Sequence, residues 1–306
     1  MRGHLRIRSP WTQLGIFLGL FGAGFLLSSI MAVIVLMMNG FRFADIEKLN
    51  WNQPEFLYVM KWLQGLSSLT MFLIPALVFA LITFRRRPLY FLGIRKASKN
   101  FMYWLAFICI FCAFPFVFWL GELNQHIPLP SWMTAMEKDA GKQMEAFLRV
   151  NHSYDILVNV FIIAVLPAFC EELCFRGGLQ RILIHLTKSP WIGIIIASIL
   201  FSALHFQFQG FLPRMFLGMV LGALYWYSGS LWPSIIAHFV NNGTQVIAVS
   251  YAPKYVNENP GLPLYAALIS GIFVFLILRY YSKNSSATYY REYQTDELNR
   301  YNQFLA

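Results

Sequence analysis

Apolar residues run along this chain in long blocks, separated by short polar or turn-forming stretches. The blocks lie near residues 13–38, 56–84, 101–120, 154–175, 191–208, 212–229, 232–251 and 262–281. At a rise of 1.5 Å per residue, such blocks approach or exceed the ~30 Å of a bilayer's hydrocarbon core. The pattern predicts an all-α, polytopic integral membrane protein with about eight transmembrane helices. The fourth helix is expected to continue past the bilayer, because Gly178 to Leu186 still reads as amphipathic. Ser131 to Val150 predicts an amphipathic helix lying at the interface. Three regions follow: residues 1–153 as amino-terminal spans with an external interfacial loop, 154–252 as a core, and 253–306 as the last span with a polar tail.

Composition agrees with a membrane setting. The 306 residues are 58% hydrophobic and 12% charged, with mean hydropathy +0.53, whereas soluble domains are about 25% charged. The net charge of +10 sits in short loops between apolar blocks, which sets topology and does not form a nucleic-acid surface. Arg2, Arg6 and Arg8 precede the first span, and Arg85, Arg86, Arg87, Arg95, Lys96 and Lys99 crowd loop 85–100. Loop 39–55, with Arg42, Asp45, Glu47, Lys48 and Glu55, is nearly neutral, and loop 121–153 has slightly more acids than bases. Arg176, Arg181 and Lys188 are basic again. By the positive-inside rule both termini are cytosolic and loop 121–153 is external. Leu14 to Met38 is too long for a signal-peptide core, so an uncleaved first span is expected. The tail after Tyr281 is polar, Tyr-rich and expected to be mobile. The four cysteines, Cys109, Cys112, Cys170 and Cys174, lie in apolar segments and are read as packing residues without disulfides.

Candidate chemistry is confined to three segments. Glu171 and Glu172 interrupt a run otherwise suited to lipid, and an acid at a helix centre costs ~2.5–3.5 kcal/mol on insertion scales. Glu172 and Arg176 are four residues apart on one helix face, while Glu171 points about 100° away and is left for another partner. His205 follows Phe201 and Ser202 on the next block, and Ser202 is read as helix packing. His238 and Asn242 are again four residues apart. Glu171 and His205 each lie roughly 25 Å from the Lys188 turn, but His238 lies only roughly 12 Å from its own turn near Gly229. The depth of a common site is therefore open. So is its chemistry. Glu171, His205 and His238 form a ligand set suited to zinc with an open water position. Alternatively, Glu171 is a general base for a water held by the histidines, with His205 and Asn242 stabilising an oxyanion and no metal involved. There is no HExxH, GxGD or GxSG pattern in a spanning segment, which counts against other intramembrane protease chemistries.

The ordered set Glu171-Glu172-x-x-Phe175-Arg176-Gly177, Phe201-x-x-x-His205 and His238-x-x-x-Asn242 resembles the CPBP family, the CAAX proteases and bacteriocin-processing (Abi) enzymes. The resemblance spans about residues 155–250 and departs at no motif position. It implies Glu171 as the water-activating residue, Glu172 and Arg176 as its supporting pair, and His205, His238 and Asn242 as the rest of the site. It implies an intramembrane endopeptidase acting on a membrane-associated or lipidated peptide or protein, of the CAAX prenyl endopeptidase type. Family members are described both as metalloproteases and as metal-free glutamate-dependent enzymes. A non-catalytic immunity or scaffold protein of the same family is the alternative. A transporter is disfavoured, because inverted repeats and broken span pairs are missing from the sequence.

Overall fold

Each apolar block folds as helix, because backbone surrounded by hydrocarbon must satisfy its N–H and C=O groups within its own segment. The structure is a computed structural model and describes residues 5–41, 51, 53–84, 87–150, 152–252, 261–288 and 292. Arg2, Arg42, Asp45, Glu47, Lys48, Arg85, Arg86 and most of the polar tail lie outside the described residues. In chain order the principal helices are α1 (Pro10–Met38), α2 (Pro54–Thr83), α3 (Phe101–Gln125), α4 (Ser131–Leu148) and α5 (Tyr154–Thr187). They continue with α6 (Pro190–Ala203), α7 (Phe211–Ser228), α8 (Trp232–Tyr251) and α9 (Leu264–Asn284). Among the described residues, extended pairing is limited to one bridge between Leu5 and Phe84.

Five of these helices, α1, α2, α3, α5 and α9, are long and apolar enough to cross a membrane. The sequence pattern predicts about eight, and the difference has physical causes. α6 has 14 residues, about 21 Å of helix, which is short of a hydrocarbon core. α7 and α8 have the length but carry Arg214, His238, Asn241 and Asn242, and most of their residues are buried within the bundle. The chain is an integral membrane protein whose polar helices are enclosed by apolar ones. α1 exposes Leu18, Phe25 and Ile34, and α9 exposes Ile272, Phe275 and Leu276. By contrast, α5 buries Leu173, Phe175, Leu179 and Ile182 in a core shared with Phe17 and Phe79.

Helix α5 runs unbroken to Thr187, as the amphipathic continuation predicts, but it is not uniform. Val160–Val165 and Leu173–Gln180 are wound as π-helix. The first of these precedes Pro167, and a similar segment, Ser68–Leu73, precedes Pro75 in α2. A local change of register accommodates a residue without an N–H. In α3, Pro115 is accommodated differently. Ser270 of α9 accepts from Phe116 N at 3.1 Å and donates to Cys112 O, rejoining the interrupted ladder. α5 meets α7 through Gly218 and Gly222, where a Cβ would lie 2.9 Å from Ser198 Cβ and 2.6 Å from Gln180 Oε1. That small-x-x-x-small spacing lets Arg176 Nη2 and Gln180 Nε2 reach the carbonyls of Gly218 and Gly222 at 3.2 and 3.1 Å.

Candidate active site

The two acids of α5 are both buried, but their surroundings differ. Glu172 is 0% exposed, and its Oε1 accepts from Arg176 Nη1 at 2.8 Å. The guanidinium also lies over the Phe201 ring, 4.5 Å from its centroid. The expected pairing of Glu172 with Arg176 is therefore present, and it is doubly supported by a carbonyl and a π face. Ser234 of α8 donates to Glu172 Oε2, and His238 Nδ1 lies 2.8 Å from Glu172 Oε1. Glu172 thus ties α5 to α8 through Ser234 and His238.

Glu171 lies farther from its neighbours: His238 Nε2 is 3.9 Å from Glu171 Oε2. His238 bridges the two acids, one ring nitrogen to each. A carboxylate at Nδ1 holds the proton of neutral His238 on that nitrogen, which turns Nε2 towards Glu171 as an acceptor. His205 has the same polarity. Its Nδ1 is 2.8 Å from Phe201 O, and because a carbonyl only accepts, Nδ1 is the donor and Nε2 of the neutral ring is an acceptor.

His205 is not within its helix, as the block 191–208 predicts. α6 ends at Ala203, and the chain turns through Phe206 at φ +51°. A bulky residue in the left-handed region marks a constrained turn, and here it brings the exposed His205 to the rim of the site. Both histidines pack edge-on to Phe201, at 4.9 and 5.9 Å between ring centroids. Asn242 donates from Nδ2 to Ile163 O at 3.3 Å and accepts from Asn241 at 3.0 Å.

Glu171, His205, His238 and Asn242 line one cavity of about 730 Å³. Its walls also include Phe114 and Val117 of α3, Met144 and Phe147 of α4, and Leu217 and Leu221 of α7. All four expected residues come together, and Glu172 and Arg176 stand behind them. The cavity is walled on one side by α4, through Ala140, Gln143, Met144, Phe147 and Leu148. The Gly229 turn before His238 packs on the 93–98 loop. Leu231 N donates to Gly93 O at 2.8 Å, and Ser98 N donates to Ser228 O at 3.0 Å.

Three polar residues at the site have no place in the sequence motifs. Ser234 and Asn241 lie on α8, where spacing to His238 was available as a signal. Arg214 on α7 lines the cavity, and its only sequence signal is a charge within an apolar block.

The fit of zinc can be judged from the donors. Among the described residues no three His, Cys, Asp or Glu side chains are grouped closely enough to hold a metal ion. Glu171, His205 and His238 face one cavity without converging on one point, so the chemistry below uses protein groups and water.

Fold and site together define an integral membrane protein with a carboxylate–histidine centre enclosed by helices. Residues 153–244 match the family model described as "Type II CAAX prenyl endopeptidase Rce1-like". That segment carries the resemblance to the CAAX-protease and bacteriocin-processing family. The chain is also 34% identical over 86 residues to "Uncharacterized protein YpbD" of Bacillus subtilis (strain 168), a stretch covering 27% of this chain. The match spans 41% of that relative's length. No solved structure matches the chain.

Proposed function

We propose that the chain is an intramembrane endopeptidase that hydrolyses a peptide bond in a membrane-associated or lipidated substrate, with water activated by Glu171. One observation carries this reading. Glu171 alone of the two acids opens into the cavity, beside His205, His238 and Asn242, while Glu172 is enclosed by Arg176, Ser234 and His238. A purely structural network would close both acids off.

In the proposed step a water is held between Glu171 and Nε2 of His205. Glu171 takes one of its protons as the oxygen adds to the scissile carbonyl carbon. The oxyanion accepts the second Nδ2 hydrogen of Asn242, which its contact with Ile163 leaves available. The C–N bond then breaks, and the departing nitrogen takes the proton from Glu171, regenerating the carboxylate. The tautomer of His205 makes it a partner for water and not the oxyanion donor that its sequence position suggests. General base catalysis of this kind contributes ~10²–10⁴-fold, and an oxyanion donor contributes ~10²–10³-fold. The apolar walls suit a hydrophobic peptide or its lipid chain.

The test is cleavage of a farnesylated CaaX peptide by the purified chain in detergent, compared with Glu171→Gln. A fall of at least ~100-fold is expected. Cleavage that survives the substitution would sink the proposal. A chelator is expected to leave the rate unchanged, and loss of activity restored by added zinc would overturn the metal-free route.

A further inference from the structure

Arg214 is the one arginine or lysine among the described residues that lines the cavity. Arg176 is matched by Glu172. Arg214, which lines the cavity with Glu171, has no carboxylate within salt-bridge distance among the described residues. Its guanidinium donates from Nη1 to Ser202 O at 3.5 Å and Gln207 O at 3.3 Å, and from Nη2 to Gln207 Oε1 at 2.7 Å. These three contacts use three of its five N–H groups. The two that remain are on Nε and Nη2, adjacent atoms of one planar fork, and they match the two oxygens of a carboxylate.

The fork is held in position before any ligand arrives. A Cβ on Gly210 would lie 2.8 Å from Nη2, so glycine there leaves the space that the guanidinium fills. Buried Asn124 of α3 donates to Phe208 O at 2.9 Å and accepts from Leu212 N at 2.7 Å. It clamps the turn on which Arg214 stands. A second unsatisfied group lines the same cavity. Asn241 is 8% exposed, and its buried Oδ1 has no donor among the described residues. The free edge of the fork is complementary to the carboxylate that ends a peptide chain. An uncharged peptide end would leave Arg214 unmatched in a mostly apolar enclosure, and an anionic one would otherwise meet repulsion from Glu171.

We infer that Arg214 is the binding site for the C-terminal carboxylate of the peptide substrate. The inference rests on the peptidase reading and narrows it to cleavage near a free carboxyl terminus. It is tested by binding and not by turnover. A fluorescent farnesylated CaaX peptide and its C-terminal amide are titrated into the Glu171→Gln protein in detergent. The free acid is expected to bind about 10- to 100-fold more tightly, the range for a charge-assisted hydrogen-bonded pair. Adding Arg214→Gln should remove the difference in affinity between acid and amide. Arg214→Lys, which keeps the charge and loses the fork, should retain part of the preference. Equal affinities, no measurable affinity for either peptide, or a preference that survives Arg214→Gln and Arg214→Lys would overturn the inference. The two readings fail separately. Preference for the acid without cleavage by the unsubstituted chain retires the peptidase and leaves the carboxylate site standing. Glu171-dependent cleavage of acid and amide alike does the reverse.

Discussion

Substituting the two adjacent acids one at a time should give opposite kinds of damage. Glu172→Gln keeps size and shape but removes the charge that accepts from Arg176 at 2.8 Å and contacts His238 at 2.8 Å. Arg176 is 1% exposed and has no second carboxylate beside it among the described residues. At an effective dielectric near 20, two unit charges about 4 Å apart interact by ~4 kcal/mol. Mutational losses of one partner from a buried pair run at ~3–5 kcal/mol. Both routes give a folding equilibrium weakened by a factor of about 100 to 4,000. Glu171→Gln changes a group whose near charged neighbour is 3.9 Å away and which opens into the cavity. It should weaken folding by less than about tenfold, within the ±0.5 to 1 kcal/mol of a substitution that breaks no buried pair, while removing cleavage.

The assay can use a reporter already in the helix. Cys174 is 1% exposed and lies between the acids and Arg176. In a protein with Cys109, Cys112 and Cys170 replaced by Ala, its reaction with a thiol reagent in mild detergent requires the helix packing to open, so the rate follows the local opening equilibrium. Glu172→Gln should raise that rate by about 100-fold or more, and Glu172→Gln with Arg176→Met should recover part of the loss. If Glu171→Gln exposes Cys174 as much as Glu172→Gln does, the division of roles between the acids is wrong. If Glu172→Gln leaves the rate unchanged, the pair does not hold the helix.

Three shorter predictions follow from other contacts. Ser234→Ala removes the donor to Glu172 Oε2 and should lower stability by about 1–2 kcal/mol, with reduced cleavage because His238 loses a fixed partner; a melting curve and a rate measured together check both. Gly222→Val places side-chain atoms against Gln180 Oε1 and Ile194, and overpacking of about 1–3 kcal/mol should lower the melting temperature of the detergent-solubilised protein. Glu137→Ala breaks the contact of Oε1 with Gln209 N at 3.0 Å that anchors α4 over the cavity, so amide exchange over Ser131–Leu148 should accelerate while exchange in α5 stays constant.

Much of the site is legible in the sequence because its logic is local. Glu172 and Arg176 are one helical turn apart, as are His238 and Asn242, and helical spacing alone places each pair on one face. Glu171 and His205 fall at matching distances from the Lys188 hairpin. What escapes is set by tertiary contact. His205 sits in a turn because α6 stops at Ala203, and nothing in the apolar pattern of 191–208 marks that stop. Ser234 becomes a partner of Glu172 only when α8 docks on α5. Arg214 reads as an ordinary charge until Gly210 and Asn124 are seen to hold it in place. The number of spans is read from apolar runs alone. Apolar runs look alike whether or not they have the length and apolar character to cross a membrane, and α6, α7 and α8 are not among the five helices that do.

The side on which the cavity opens decides which substrates can reach it. Glu171, Arg214 and His238 share their enclosure with Gln143 and Met144 of α4, and α4 lies in loop 121–153. Basic residues concentrate at the other end of the bundle, where Arg95 Nε donates to Gly229 O and Lys99 is exposed. The positive-inside rule predicts an external α4 face. Asp139, with 77% of its side chain exposed, is a suitable marker for that face. In intact cells Asp139→Cys should react with a membrane-impermeant maleimide, and Lys99→Cys should react only after permeabilisation. The opposite pattern would overturn the assignment and open the cavity to proteins lipidated in the cytosol. With the expected pattern, a peptide must arrive from within the bilayer or from the outer leaflet. The natural substrates are then membrane-anchored or exported chains that end in a hydrophobic segment, and an added soluble peptide should be cleaved by detergent-solubilised protein but not by protein in sealed, inside-out vesicles.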